Sequence, residues 1–148
     1  MLGQPKAPVS MLLFTNYDCA YCKDFENNLM PRLQTDFIEN GKLKVQIIPV
    51  MLQKYPDSDK NAHVLLCGIR MGSGADVHRM LFDGQRTFPA LETCLNDTDF
   101  LQRTMAAQYD VIRSLDVTVI PTYFINEQKF TGLPEYADLR GQITAALR

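Results

Sequence analysis

No stretch of this chain of 148 residues comes near the 18 or so consecutive apolar residues that a membrane-spanning helix needs. Met1 to Ser10 also lacks the charged start and apolar middle of a signal peptide. An extracytoplasmic protein would therefore have its export signal or membrane anchor absent from this chain. Lys and Arg form no cluster and the net charge is -2, so there is no electrostatic footprint for nucleic acid. Internal repeats and low-complexity segments are missing too. At 46% hydrophobic residues the composition is that of an ordinary globular protein, and the length suits a single domain with a substantial core. Histidine is scarce, with two residues, and cysteine numbers four. Structural zinc needs two closely spaced ligand pairs. His63 and Cys67 are four apart, but Cys94 has no comparable neighbour, so no metal site is expected.

What is present is a pair of cysteines, Cys19-Ala20-Tyr21-Cys22, directly after an apolar run from Met11 to Phe14. Two thiols separated by two residues at a strand-to-helix junction point to reversible disulfide chemistry. The first N–H groups of a helix lack intrahelical partners and its peptide dipoles add there, which favours a negatively charged sulfur at the first turn. Cys19 is thus expected to be the exposed attacking sulfur. Cys22, Phe25, Leu29 and Leu33 follow spacings of three and four, which puts Cys22 on the buried stripe as the resolving sulfur. Asp18 has two alternatives. Its carboxylate either points at Cys19 and opposes the negative sulfur, or caps the helix and loses that influence.

The remaining pattern orders the chain. A first strand is expected from Val9 to Thr15, covered on both faces because its apolar residues are consecutive. Pro31 should kink or end the cysteine helix. Asn40-Gly41 turns the chain into a second strand with Leu43, Val45 and Ile47 on one face, completing a parallel crossover unit. Beyond Pro49 the periodicity is helical for about sixty residues. One helix carries Ala62, Leu65, Leu66 and Ile69, a second Val77, Met80 and Leu81, a third Phe88, Leu91 and Leu95, and a fourth Leu101, Met105, Tyr109 and Ile112. Strand character returns at Thr122 to Ile125, a short partner follows at Lys129 to Thr131, and Tyr136, Leu139, Ile143 and Leu147 mark a closing helix.

With Phe14-Thr15-Asn16-Tyr17-Asp18-Cys19-Ala20-Tyr21-Cys22-Lys23-Asp24-Phe25-Glu26 at one end and Val119-Ile120-Pro121-Thr122 about a hundred residues later, the chain resembles a DsbA-like member of the thioredoxin superfamily. The resemblance covers nearly the whole chain. It implies an α/β thioredoxin fold, residues 1–148 as one domain, with a helical insertion at about 56–115 between the βαβ unit and the C-terminal ββα unit. It further implies a protein thiol:disulfide oxidoreductase with Cys19 and Cys22 as catalytic residues and no cofactor. Pro121 would follow a cis peptide bond beside the sulfurs. The backbone of Ile120 would pair with an extended substrate segment, with Tyr21 exposed to it and Tyr17 and Phe25 as further candidates for an apolar rim, although Phe25 reads better as core. Glu26 matches an acidic position in the family, with proton transfer and a solvated helix residue as its two readings.

Implied partners are unfolded or partly folded cysteine-containing proteins and a redox partner that resets the pair. The protein is expected to be monomeric and to work in the periplasm or another extracytoplasmic place. Cys67 and Cys94 could there form a structural disulfide worth roughly 3 to 4 kcal/mol, the alternative being two buried thiols. The strongest oxidants of the family carry Pro-His between the cysteines, and that His stabilises the thiolate. Ala20-Tyr21 offers no such cation, so a potential less oxidising than roughly -120 mV is expected. Disulfide reductase or isomerase activity on the same fold stays open. So do Cu(I) binding by the two soft thiolates and, less well supported by an intact dithiol, a redox-inactive binding module.

Overall fold

In a computed structural model describing residues 1–148, the chain divides into two compact units. One comprises Met1–Thr15, Cys19–Ile48 and Val119–Arg148, and the other comprises Asn16–Asp18 and Pro49–Thr118.

The first unit is built on a four-stranded sheet in the order β2-β1-β3-β4. Strand β1 (Val9–Thr15) is central, with β2 (Leu43–Pro49) on one side and β3 (Thr122–Ile125) antiparallel on the other. Its residues Leu13 and Phe14 are adjacent yet both buried, which a strand allows only when both sheet faces are covered. The edge strand β4 (Gln128–Thr131) pairs antiparallel with β3 after a tight turn at Asn126, a residue with φ of 52°. Asparagine tolerates that left-handed conformation better than most residues. Helix α7 (Tyr136–Ala146) places Tyr136, Leu139 and Ile143 in the core, at the spacings of three and four read from sequence.

Between β1 and β2 the chain is helical through four consecutive segments. These are α1 (Ala20–Asp24), a π-helical turn (Phe25–Leu29), α2 (Met30–Leu33) and a second π-helical turn (Gln34–Ile38). Pro31 therefore does not end the helix. Proline removes one N–H and its ring crowds the carbonyl four residues back. The π turn preceding it lets the Met30 N–H bond to the Phe25 carbonyl, five residues back, so the chain enters Pro31 in a shifted register and continues to Ile38. This accommodation could not be read from spacing alone.

The second unit is helical. It contains α3 (Ser58–Arg70), α4 (Gly74–Phe82), a 3-10 turn (Pro89–Leu91), α5 (Glu92–Leu95) and α6 (Thr98–Ser114). The helix expected through Phe88, Leu91 and Leu95 is thus a 3-10 turn followed by a single α turn. Pro89 and the brevity of the segment leave no room for more. Helices α3 and α4 pack at Gly68, where a Cβ would lie 2.8 Å from Val77 Cγ2. Ala62, Leu66 and Met105 form a buried cluster joined by Met51. A disulfide joins Cys67 on α3 to Cys94 on α5.

Candidate active site

Cys19 is the N-cap of α1 in an extended conformation, and Cys22 is the third residue of that helix. Both cysteines stand as thiols. The Cys22 backbone N–H donates to Cys19 Sγ at 3.4 Å, so one of the orphan donors of the helix end is turned onto the sulfur. The expected exposure of Cys19 is corrected. It is 4% exposed against 1% for Cys22. The two differ in helical position rather than in access to solvent. A cap residue folds its side chain back over the first turn, and that shields the sulfur.

Antiparallel register sets what faces this helix start. Phe14 of β1 pairs with Thr122 of β3, so the chain leaving β1 toward Cys19 and the chain entering β3 from Pro121 meet the sheet at the same end. The Ile120-Pro121 peptide is cis, in keeping with the family resemblance. Thr122 is fully buried, and its Oγ1 donates to the Val119 carbonyl at 2.6 Å. The Pro121 carbonyl accepts the Gly132 N–H at 2.8 Å. Pro121 itself is buried and Ile120 half-buried, whereas Val119 is 49% exposed. The sequence motif includes Val119 without giving it a role, and its exposure accompanies the local turn that Thr122 closes.

Tyr21, between the cysteines, is 64% exposed. Phe25 is buried with its ring 5.9 Å from that of Tyr123, and so belongs to the core. Glu26 is half-buried in the first π turn.

Residues 16–18 lie between β1 and α1 in sequence but belong to the helical unit. Asn16 is buried, and its Nδ2 donates to the Val50 carbonyl at 2.9 Å and to Ser58 Oγ at 2.7 Å. Tyr17 is buried too, sharing a 2.7 Å hydrogen bond between its hydroxyl and His78 Nδ1 and packing on Phe82. The rim role considered for Tyr17 is thereby excluded. Asp18 does not cap the helix, one of the two roles weighed from sequence. Its carboxylate is held by Arg86 Nη2 at 3.3 Å and Asn61 Nδ2 at 3.4 Å, and the cap position falls to Cys19. These partners are 43 to 68 residues away along the chain, beyond the reach of any local pattern.

A dithiol at a helix N-terminus, at the sheet end where a cis proline enters β3, defines a thiol–disulfide oxidoreductase of DsbA-like fold, a thioredoxin core with a helical subdomain before its ββα region. A family model described as Thioredoxin matches residues 1–89, and the chain belongs to that family. Disulfide bond formation protein D of Bacillus subtilis (strain 168) is 25% identical over 172 residues, an alignment spanning all of this chain and 77% of that protein. Among solved structures, oxidised BdbD from Bacillus subtilis superposes with a TM-score of 0.80 at 24% identity, over 99% of this chain and 91% of its own. A periplasmic thioredoxin-like protein from Salmonella enterica serovar Typhimurium gives 0.79 at 18% identity, over 99% and 88%. The structural likenesses are likenesses of fold. The paired cysteines and the family match support thiol–disulfide exchange by this chain.

Proposed function

We propose that this chain forms or shuffles disulfides in exported proteins, with Cys19 as the nucleophile and Cys22 as the resolving cysteine. The observation that carries this is the Cys22 N–H directed at Cys19 Sγ, which marks Cys19 as the sulfur whose negative charge the helix end stabilises. In the oxidised form a substrate thiolate attacks Cys19, breaking the Cys19–Cys22 bond and leaving Cys22 as a thiolate that takes up a proton. A second substrate thiolate then attacks the substrate sulfur of this mixed disulfide. Two electrons have passed from substrate to enzyme, Cys19 leaves as thiolate, and the substrate gains its disulfide. A separate redox partner must then remove those electrons.

Ile120 and Pro121 would support an extended substrate segment by strand addition, with exposed Tyr21 contributing apolar contact. Glu26, one helical turn beyond Cys22 and half-buried in the π turn, is the acidic candidate for moving the Cys22 proton. The buried Cys67–Cys94 disulfide supports an oxidising, extracytoplasmic working place, since such bonds are rare where glutathione keeps thiols reduced. The chain would act there as a single domain and a monomer. Because Ala20-Tyr21 supplies no cation to the thiolate, the pair would be less oxidising than roughly -120 mV.

The test is to mix oxidised protein with a reduced, unfolded cysteine-containing protein. Stoichiometric appearance of substrate disulfide is expected, and a Cys22→Ala variant should trap the client on Cys19. Absence of transfer together with tight Cu(I) binding would replace this reading with metal handling.

A further inference from the structure

Asp18 is an acid immediately before the proposed nucleophile, where negative charge opposes the chemistry. Adjacent Cα atoms are about 3.8 Å apart, so the Asp18 carboxylate and the Cys19 sulfur can never separate by more than roughly 10 Å. That distance is about one Debye length at 0.1 M salt, close enough to matter. The helical unit supplies a compensation. Arg86 Nη2 lies 3.3 Å from Asp18 Oδ1, and the guanidinium is aimed by its Nη1, which donates to the Leu81 carbonyl at 2.7 Å and the Gln85 carbonyl at 2.9 Å. The carboxylate has other anchors as well. Asn61 Nδ2 donates to Oδ2, and the Asp18 N–H donates to Asn16 Oδ1 at 2.8 Å. Neutral groups thus hold Asp18 in place, while Arg86 alone brings the opposite charge.

We propose that Arg86 is a positioning residue for thiol–disulfide exchange: it cancels the charge of Asp18 and thereby keeps the reduced, thiolate-bearing form of the Cys19–Cys22 pair favourable. This rests on the reading of Cys19 as the nucleophile. The equilibrium at issue takes two electrons from the enzyme dithiol to glutathione disulfide, giving the enzyme disulfide and two glutathione thiols. An uncompensated carboxylate raises the energy of the thiolate form and pulls that equilibrium toward the enzyme disulfide.

The experiment is a redox titration against reduced and oxidised glutathione, with folding checked by circular dichroism. Arg86→Gln should raise the equilibrium constant for enzyme disulfide formation by about two- to fifteen-fold at low salt, the range that effective dielectric constants between water and protein surface allow for a unit charge roughly 10 Å away. Raising the salt to 0.5 M should shrink the shift, because exposed charges are screened. Arg86→Lys should restore most of the wild-type value. Asp18→Asn should move the constant the other way, and the double variant Asp18→Asn/Arg86→Gln should fall near wild type. A normal wild-type titration with no shift in Arg86→Gln overturns the inference. So does a shift that ignores salt, or a double variant that stays as far above wild type as Arg86→Gln alone, since that is a structural effect. If the wild-type pair does not exchange with glutathione at all, or a Cys19→Ala variant exchanges as well as wild type, it is the assignment of the nucleophile that has failed.

Discussion

The sheet unit and the helical unit meet the same demand, that buried polar groups find partners, by different means. In the sheet unit the strands satisfy one another through backbone ladders, and the side chains that fill the core are almost all apolar. In the helical unit the helices and the turns between them satisfy their own backbone, so what holds one segment to another is side chains. Four of the six buried polar or charged residues, Asn16, Ser58, Asn61 and His78, lie there, and so does the only disulfide. Regular pairing is general and tolerates variation, whereas a side-chain partner is specific and costly to lose once buried.

The strongest way to break this contrast is to remove the cross-link. Replacing Cys67 and Cys94 together by Ala should cost about 3.5 kcal/mol, since the bond closes a loop of 27 residues. Denaturant unfolding would measure the loss, and hydrogen exchange should place most of the lost protection in α3 and α5. An equal loss in β1 and β3 would contradict the division drawn here.

Asn16→Ala should cost roughly 2 to 3 kcal/mol, because it strips the Val50 carbonyl, Ser58 Oγ and the Asp18 N–H of a partner at once. Urea unfolding checks it, and an unchanged midpoint would mean that this residue is not the anchor its hydrogen bonds describe. The mutation sharpens the comparison, since Asn16 follows a strand in sequence yet serves the helical unit.

The smallest effect belongs to the sheet unit. Burial first, and then the hydrogen bond to the Asp36 carboxylate, push the Tyr136 hydroxyl up from 10.0 to about 12. A raised value in the folded state means that its stabilisation is complete below about pH 10 and is lost as pH rises through about 12. Tyr136→Phe should cost less than about 1 kcal/mol at neutral pH and flatten part of the alkaline decline. Tyr123, pushed up to about 12 mainly by burial, should sustain the remainder. Urea midpoints from pH 9 to 12 for both proteins decide it, and identical curves would show that the Tyr136 hydroxyl carries no such linkage.

Strands, most helices and the dithiol were legible because each is written within a few residues. Alternation marks β2, spacings of three and four mark α3, α6 and α7, and Cys19 and Cys22 share one helical turn. The π turns around Pro31 were not, since a helix that absorbs a proline and one that stops at it have the same local pattern.

By itself, then, the sequence determined the chemistry of this protein, because two thiols at the start of a helix need only their own neighbours to become a redox pair. Tertiary structure alone decided the surroundings of that pair. The partners of Asn16, Tyr17, Asp18 and Cys67 come from 27 to 68 residues away. No local periodicity encodes which distant groups will meet. Asp18 shows the consequence most directly, for its carboxylate was ambiguous beside Cys19 until the fold brought Arg86 to it.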